Sequence, residues 1–126
     1  MKRKEKNKIL WIGIIVAIVI LGGLLYFKKN APGELDDFAR CLDEKGVTFF
    51  GAFWCPHCQE QKKMFGNSER LLPYVECSTA NGQGTTITCQ QEQITSYPTW
   101  EFVDGSRQTG VLSLEALAAA SGCELN

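Results

Sequence analysis

The chain is 126 residues long with 44% apolar residues and a net charge of -1, which leaves room for one modest domain and little else. The balance conceals an asymmetry: up to Lys29 seven Lys and Arg stand against Glu5, and after it six basic residues stand against 13 acidic ones. An acidic body repels phosphate, which excludes nucleic acid as its partner and leaves the basic head to be read as an address.

Residues 1–8 are the basic segment. From Ile9 to Phe27 the chain runs ILWIGIIVAIVILGGLLYF, 19 residues without a charge. At ~1.5 Å per residue such a helix nearly crosses a hydrocarbon core of ~30 Å. Trp11 and Tyr26 stand near its ends, where amphipathic rings favour the membrane interface, and Gly22 and Gly23 are tolerated in lipid. A cleaved signal peptide is the alternative, but the apolar core is long for one, and the linker at 28–33, KKNAPG, offers no clear small-x-small cleavage site. The expectation is an uncleaved single-pass anchor in the cell membrane that meets lipid through residues 9–27. Lys2, Arg3, Lys4, Lys6 and Lys8 outweigh Lys28 and Lys29, so the N-terminus belongs in the cytoplasm and all that follows the helix lies outside.

Residues 34–126 then form one extracytoplasmic domain. ELDDFARCLDEKG sets Leu35, Phe38, Ala39 and Leu42 at helical spacing and ends at Gly46, which predicts a helix. VTFFGAFW is short, apolar and aromatic, as a strand buried on both faces would be. CPHCQEQKKMF carries Pro56 at a first helical position and Gly66 just past its end. YVEC is a second strand, STANGQGTT a loop, and ITCQQEQI a couple of helical turns. TWEFV and SRQTGV flank Asp104-Gly105, a two-residue hairpin signal. In SLEALAAASG, Ser113 is the expected N-cap, Glu115 lies in the first turn and Gly122 terminates. The order α-β-α-β-α-β-β-α makes a single mixed α/β unit on a membrane tether.

Six cysteines in fewer than a hundred extracytoplasmic residues stand where disulfides persist. Cys55 and Cys58, one helical turn apart, are close enough to bond to each other. At a helix N-terminus, free N–H groups and the positive end of the dipole stabilise a Cys55 thiolate, and the adjacent His57 adds to this when protonated. Stabilising the thiolate stabilises the reduced form and makes the disulfide a willing electron acceptor. Two other readings compete. Zinc would need a second ligand pair, yet the remaining cysteines stand apart at 41, 77, 89 and 123 and the only histidine lies inside the motif. A purely structural bridge is weak, because so short a loop removes little unfolded-state entropy.

The stretch FFGAFWCPHC, the helix after it and SYPTW some forty residues on resemble thioredoxin-fold oxidoreductases over roughly residues 34–123. More narrowly, the pattern FFGAFWCPHC, YVEC, a later Cys, YPTW and SLEALAAASG is similar to the thioredoxin-like domain fused to bacterial and plant homologues of vitamin K epoxide reductase. The resemblance implies a central mixed sheet flanked by helices, here behind one N-terminal transmembrane helix. It implies Cys55 as the exposed attacking thiol, Cys58 as the resolving one, and Trp54 and Pro56 as their surround. It implies a cis bond between Tyr97 and Pro98, facing the cysteines and presenting backbone to an extended substrate. It also implies a disulfide between Cys77 and Cys89, read first as a staple on the STANGQGTT loop and second as a relay toward a membrane quinone reductase. If those two pairs hold, joining Cys41 to Cys123 leaves no free thiol, although their elements lie on opposite faces of the sheet in the usual thioredoxin fold. One departure concerns position 49: thioredoxins carry a buried carboxylate six residues before the first cysteine, and Phe49 stands there instead.

The function expected from the resemblance is a membrane-anchored thiol–disulfide oxidoreductase that oxidises or isomerises disulfides in exported proteins. Its partners would be exported protein thiols and a quinone-linked thiol oxidase, vitamin K epoxide reductase-like or equivalent, that reoxidises it. No cofactor and no resident metal are called for. A reductase of the same fold is the nearest alternative, and a module that binds Cu(I) through Cys55, Cys58 and His57 is the alternative from another class.

Overall fold

The computed structural model describes residues 2–125; Met1 of the expected basic segment and Asn126 of the expected domain lie outside them. Two compact units divide the chain near Ala31 and Pro32. The first is α1, Lys2–Lys29, one continuous helix that takes in both the apolar run and most of the basic segment expected before it. The part from Lys4 to Lys29 is long and apolar enough to cross a membrane.

In the second unit α2, Asp36–Glu44, buries Phe38, Ala39 and Leu42, the stripe its spacing predicts. β1, Thr48–Gly51, is shorter than the apolar run that contains it. It stops because the chain turns at Ala52, whose carbonyl accepts the Cys55 N–H at 3.0 Å. α3, Pro56–Met64, follows, and then a 3₁₀ turn, Gly66–Leu71, that the sequence does not announce. β2 is Tyr74–Glu76, α4 is Ile87–Gln91, β3 is Thr99–Glu101, β4 is Arg107–Thr109 and α5 is Leu114–Ser121. Ser113 caps α5 by accepting the Ala116 N–H at 3.1 Å, and Gly122 closes the helix in the left-handed conformation.

The strands form one mixed sheet in the order β2-β1-β3-β4. β1 pairs with β2 in parallel, which the crossover through α3 makes possible, while β1–β3 and β3–β4 are antiparallel. With helices flanking it, this is the thioredoxin-like α/β fold. The β3–β4 hairpin differs in detail from the two-residue turn expected at Asp104-Gly105. The Phe102 N–H reaches the Ser106 carbonyl at 2.9 Å, so three residues make the loop, with Gly105 at φ +78° where a side chain would be strained.

The main core gathers Phe38, Leu42, Phe49, Phe65, Trp100 and Leu117, with both Cys55 and Cys58 at its edge. Phe49 stacks on Trp100 at 4.5 Å and meets the Tyr74 ring edge-on at 5.2 Å. A smaller cluster holds Phe50, Cys77, Cys89 and Ile94. The structure joins Cys77 to Cys89, with Cα atoms 5.4 Å apart, and Cys41 to Cys123, with Cα atoms 5.9 Å apart. Cys123 lies beyond the Gly122 cap, so it is the tail leaving α5 that reaches Cys41 on α2.

Candidate active site

Cys55 occupies the N-cap of α3 in extended backbone, and Pro56 takes the first helical position, where its missing N–H costs nothing. The Cys55 carbonyl accepts the Gln59 N–H at 3.1 Å, which starts the helix. Cys58, one turn on, faces inward. Both sulfurs are free thiols. The expectation of an exposed Cys55 needs correction: Cys55 is 5% and Cys58 1% exposed. Cys55 is covered because the Tyr97–Pro98 segment lies over it, the Cys55 Sγ standing 3.7 Å from the Tyr97 carbonyl oxygen. The Tyr97–Pro98 peptide is cis, Pro98 is buried, and Tyr97 packs against the core.

Around this pair Phe53 and Trp54 are both 49% exposed. The Trp54 indole donates to Ser78 Oγ at 2.9 Å, and its ring meets that of Tyr97 edge-on at 6.1 Å. The loop closed by Cys77 and Cys89 therefore bears on the surface next to Cys55. That loop is ordered by its own bonds: Ser78 bridges Thr85, and the Thr79 N–H reaches the Gly84 carbonyl at 2.9 Å. His57 points away, 70% exposed, with Nδ1 3.6 Å from the Glu60 carboxylate. Among the described residues no three of His, Cys, Asp and Glu converge as metal ligands.

Glu76 belongs to this site, and sequence reading missed it. One carboxylate oxygen accepts the Phe53 and Ser78 N–H groups at 3.2 and 2.8 Å, and the other accepts the Tyr74 hydroxyl at 2.8 Å. It thereby ties the turn before Cys55, the start of the 78–86 loop and the Tyr74 ring to the end of β2. The available signal was a carboxylate inside the otherwise apolar YVEC. Its charge, with burial as the larger cause, pushes the Tyr74 phenol up and keeps it protonated.

Burial also governs the inner cysteine electrically. The Cys58 thiol is pushed up to about 12, chiefly because its thiolate would lose solvation, with bonding from the Ala52 backbone and the charge of Lys62 pulling the other way. Two sulfurs one turn apart, one at a helix start beneath the Tyr97 carbonyl and one sealed behind it, are arranged for exchange through Cys55 with Cys58 as its internal partner.

No protein-family model matches the chain. The thiol-disulfide oxidoreductase LTO1 of Arabidopsis thaliana is a relative, 38% identical over 152 residues, an alignment that takes in 99% of this chain and 40% of that protein. The chain thus spans about two fifths of the relative's length.

Proposed function

We propose that the protein is a thiol–disulfide oxidoreductase, anchored by α1 in the cell membrane, that oxidises or isomerises disulfides in exported proteins through Cys55 and Cys58. The observation that carries this reading is the partition of the six cysteines: four are paired, and the two free ones stand together at the start of α3 under the Tyr97–Pro98 segment. The name of the relative supports the same chemistry. In the oxidising direction a substrate thiolate bonds to the Cys55 sulfur of the Cys55–Cys58 disulfide, and the electron pair of the broken bond leaves on Cys58. A second substrate thiolate then bonds to the first substrate sulfur and expels Cys55 as thiolate. The substrate has lost two electrons and gained a disulfide. A membrane quinone-linked thiol oxidase, vitamin K epoxide reductase-like or equivalent, would take those electrons on.

The five Lys and Arg on the N-terminal side of the apolar run 9–27, against Lys28 and Lys29 on its other side, support a cytoplasmic N-terminus and an extracytoplasmic domain. Phe49, lying where reductases of this fold keep a carboxylate, supports the oxidising direction. The test is a Cys58→Ser variant expressed in intact cells: it is expected to accumulate exported proteins disulfide-linked to Cys55, and a variant that captures none contradicts the reading. Equilibration with a glutathione buffer assigns direction, since a potential at or below about −270 mV would mark a reductase.

A further inference from the structure

Resting on that oxidoreductase reading, we propose that Lys62, held against the face of Tyr74, supplies the positive charge that stabilises the Cys58 thiolate, and that Tyr74 is its positioning residue. Lys62 follows Cys58 by four residues on α3, so the two side chains share a helix face. The Lys62 ammonium sits 3.4 Å from the centre of the Tyr74 ring, a cation–π contact. The ring is fixed at its far end by the hydroxyl, which donates to the Glu76 carboxylate, and polarising that O–H toward an anion enriches the ring face that holds the cation. The edge of the same ring approaches Cys58 across Gly51: a Cβ added there would fall 2.8 Å from Tyr74 Cε2 and 3.0 Å from Cys58 Sγ. Gly51 has no side chain, so ring and sulfur converge on the space one would fill.

The other neighbours of Cys58 leave this charge little competition. From α3 come Cys55 and Lys62, from β2 Tyr74 and, through its hydroxyl, Glu76. β1 contributes Gly51, which carries no charge, and His57 is turned out toward Glu60. The chemistry places negative charge here. When substrate sulfur bonds to Cys55 the pair of the broken disulfide stays on Cys58; in reverse, the Cys58 thiolate bonds to Cys55 and the group held there departs as a thiolate. Either way a full negative charge resides on a sulfur that water barely reaches.

The experiment uses the full-length reduced protein in detergent and an aromatic disulfide, dithiobis(nitrobenzoate), as probe. Attack by Cys55 releases one coloured thiol, and displacement of the adduct by Cys58 releases the second. Lys62→Met is expected to slow the second release roughly tenfold at neutral pH and to move its pH profile up by about one unit, leaving the first release unchanged. Lys62→Arg should restore the second step, and Lys63→Met, on the exposed side of the helix, should not affect it. Should Lys62→Met fold poorly, Tyr74→Leu provides the same reading, since freeing the ammonium must slow the second step too. An unchanged second-step profile in Lys62→Met or Tyr74→Leu overturns the role of Lys62 while the oxidoreductase reading stands. Absence of any second release from the unsubstituted protein overturns both.

Discussion

At the scale of single residues, burial fixes the protonation of the inner sulfur of the pair. Cys58 is held as a neutral thiol near neutral pH because its anion would be desolvated. In a Cys55→Ser variant, the ultraviolet absorbance of the remaining free thiolate is expected to titrate with a midpoint above the ordinary 9.0, and a midpoint at or below that value would contradict the burial argument. The same shift acts on stability. A native value raised above the unfolded one favours the folded, reduced protein below the unfolded midpoint, and the advantage is lost as pH rises from 9.0 toward about 12. Denaturant midpoints of the reduced form should therefore fall more steeply above pH 9.0 than those of the oxidised form, in which Cys58 has no proton to lose. Gly51 makes the other residue-scale case: in Gly51→Ala the new methyl collides with the Tyr74 ring and the Cys58 sulfur, and a loss of about 1–3 kcal/mol in urea unfolding is expected. The spacing of Cys55 and Cys58 made them legible from sequence. Tyr74 and Glu76 were not, because nothing in YVEC says that the parallel register sets Glu76 beside Gly51 and turns its carboxylate back toward the cysteine turn.

At the scale of elements, the helices were the readable part. Apolar spacing and end signals place α2, α3 and α5 to within a few residues, because those signals act locally. The strands were located but overextended, since an apolar run does not reveal where a backbone leaves the ladder; β1 ends at Gly51, four residues before Cys55. The 3₁₀ turn was not readable at all. GNSERL has no period, and what orders it is distant in sequence: Asp36 accepts from the Ser68 hydroxyl at 2.8 Å and from both Arg70 terminal nitrogens at 2.7 and 2.6 Å. Gln61 teaches the same lesson. In a polar stretch it reads as solvated, yet it is fully buried, its amide oxygen accepting from the Leu112 N–H at 2.8 Å and the Trp100 indole at 3.3 Å while its nitrogen donates to the Leu112 carbonyl at 3.0 Å. One side chain thus ties α3 to β3 and to the segment entering α5. Gln61→Leu keeps the volume but strands those three groups in the core, so a loss of about 2–4 kcal/mol is expected, read from denaturant unfolding. A loss under about 1 kcal/mol would mean that the bonds are replaced when the amide is removed.

At the scale of the whole domain, the fold is closed by long-range ties that differ in kind and so fail under different conditions. The Arg70 guanidinium beside Asp36 holds its carboxyl well below the usual carboxylate range. A depressed native value means that this contribution is complete above the unfolded value of 3.8 and fades as pH falls through it toward the native one. Acid unfolding should therefore begin at higher pH, and depend less steeply on pH below 3.8, in Asp36→Asn. The disulfides act at every pH until they are reduced. Cys41–Cys123 closes a separation of 82 residues and Cys77–Cys89 one of 12. If loop entropy governs, the first is worth about 4.5 kcal/mol and the second about 3, both as ceilings. Their places predict an opposite order for catalysis. The Cys77–Cys89 loop reaches Trp54 through Ser78, beside Cys55, whereas Cys41 and Cys123 tie α2 to the tail beyond α5. The Cys41→Ala/Cys123→Ala double variant should thus lose more stability to denaturant while exchanging thiols at Cys55 at nearly the parental rate. The Cys77→Ala/Cys89→Ala variant should lose less stability and yet exchange more slowly with a peptide disulfide, its loop no longer fixed against the indole. Unfolding curves and peptide exchange rates on the two variants decide it: equal exchange rates would reduce the second disulfide to a staple without bearing on the surface that meets substrate.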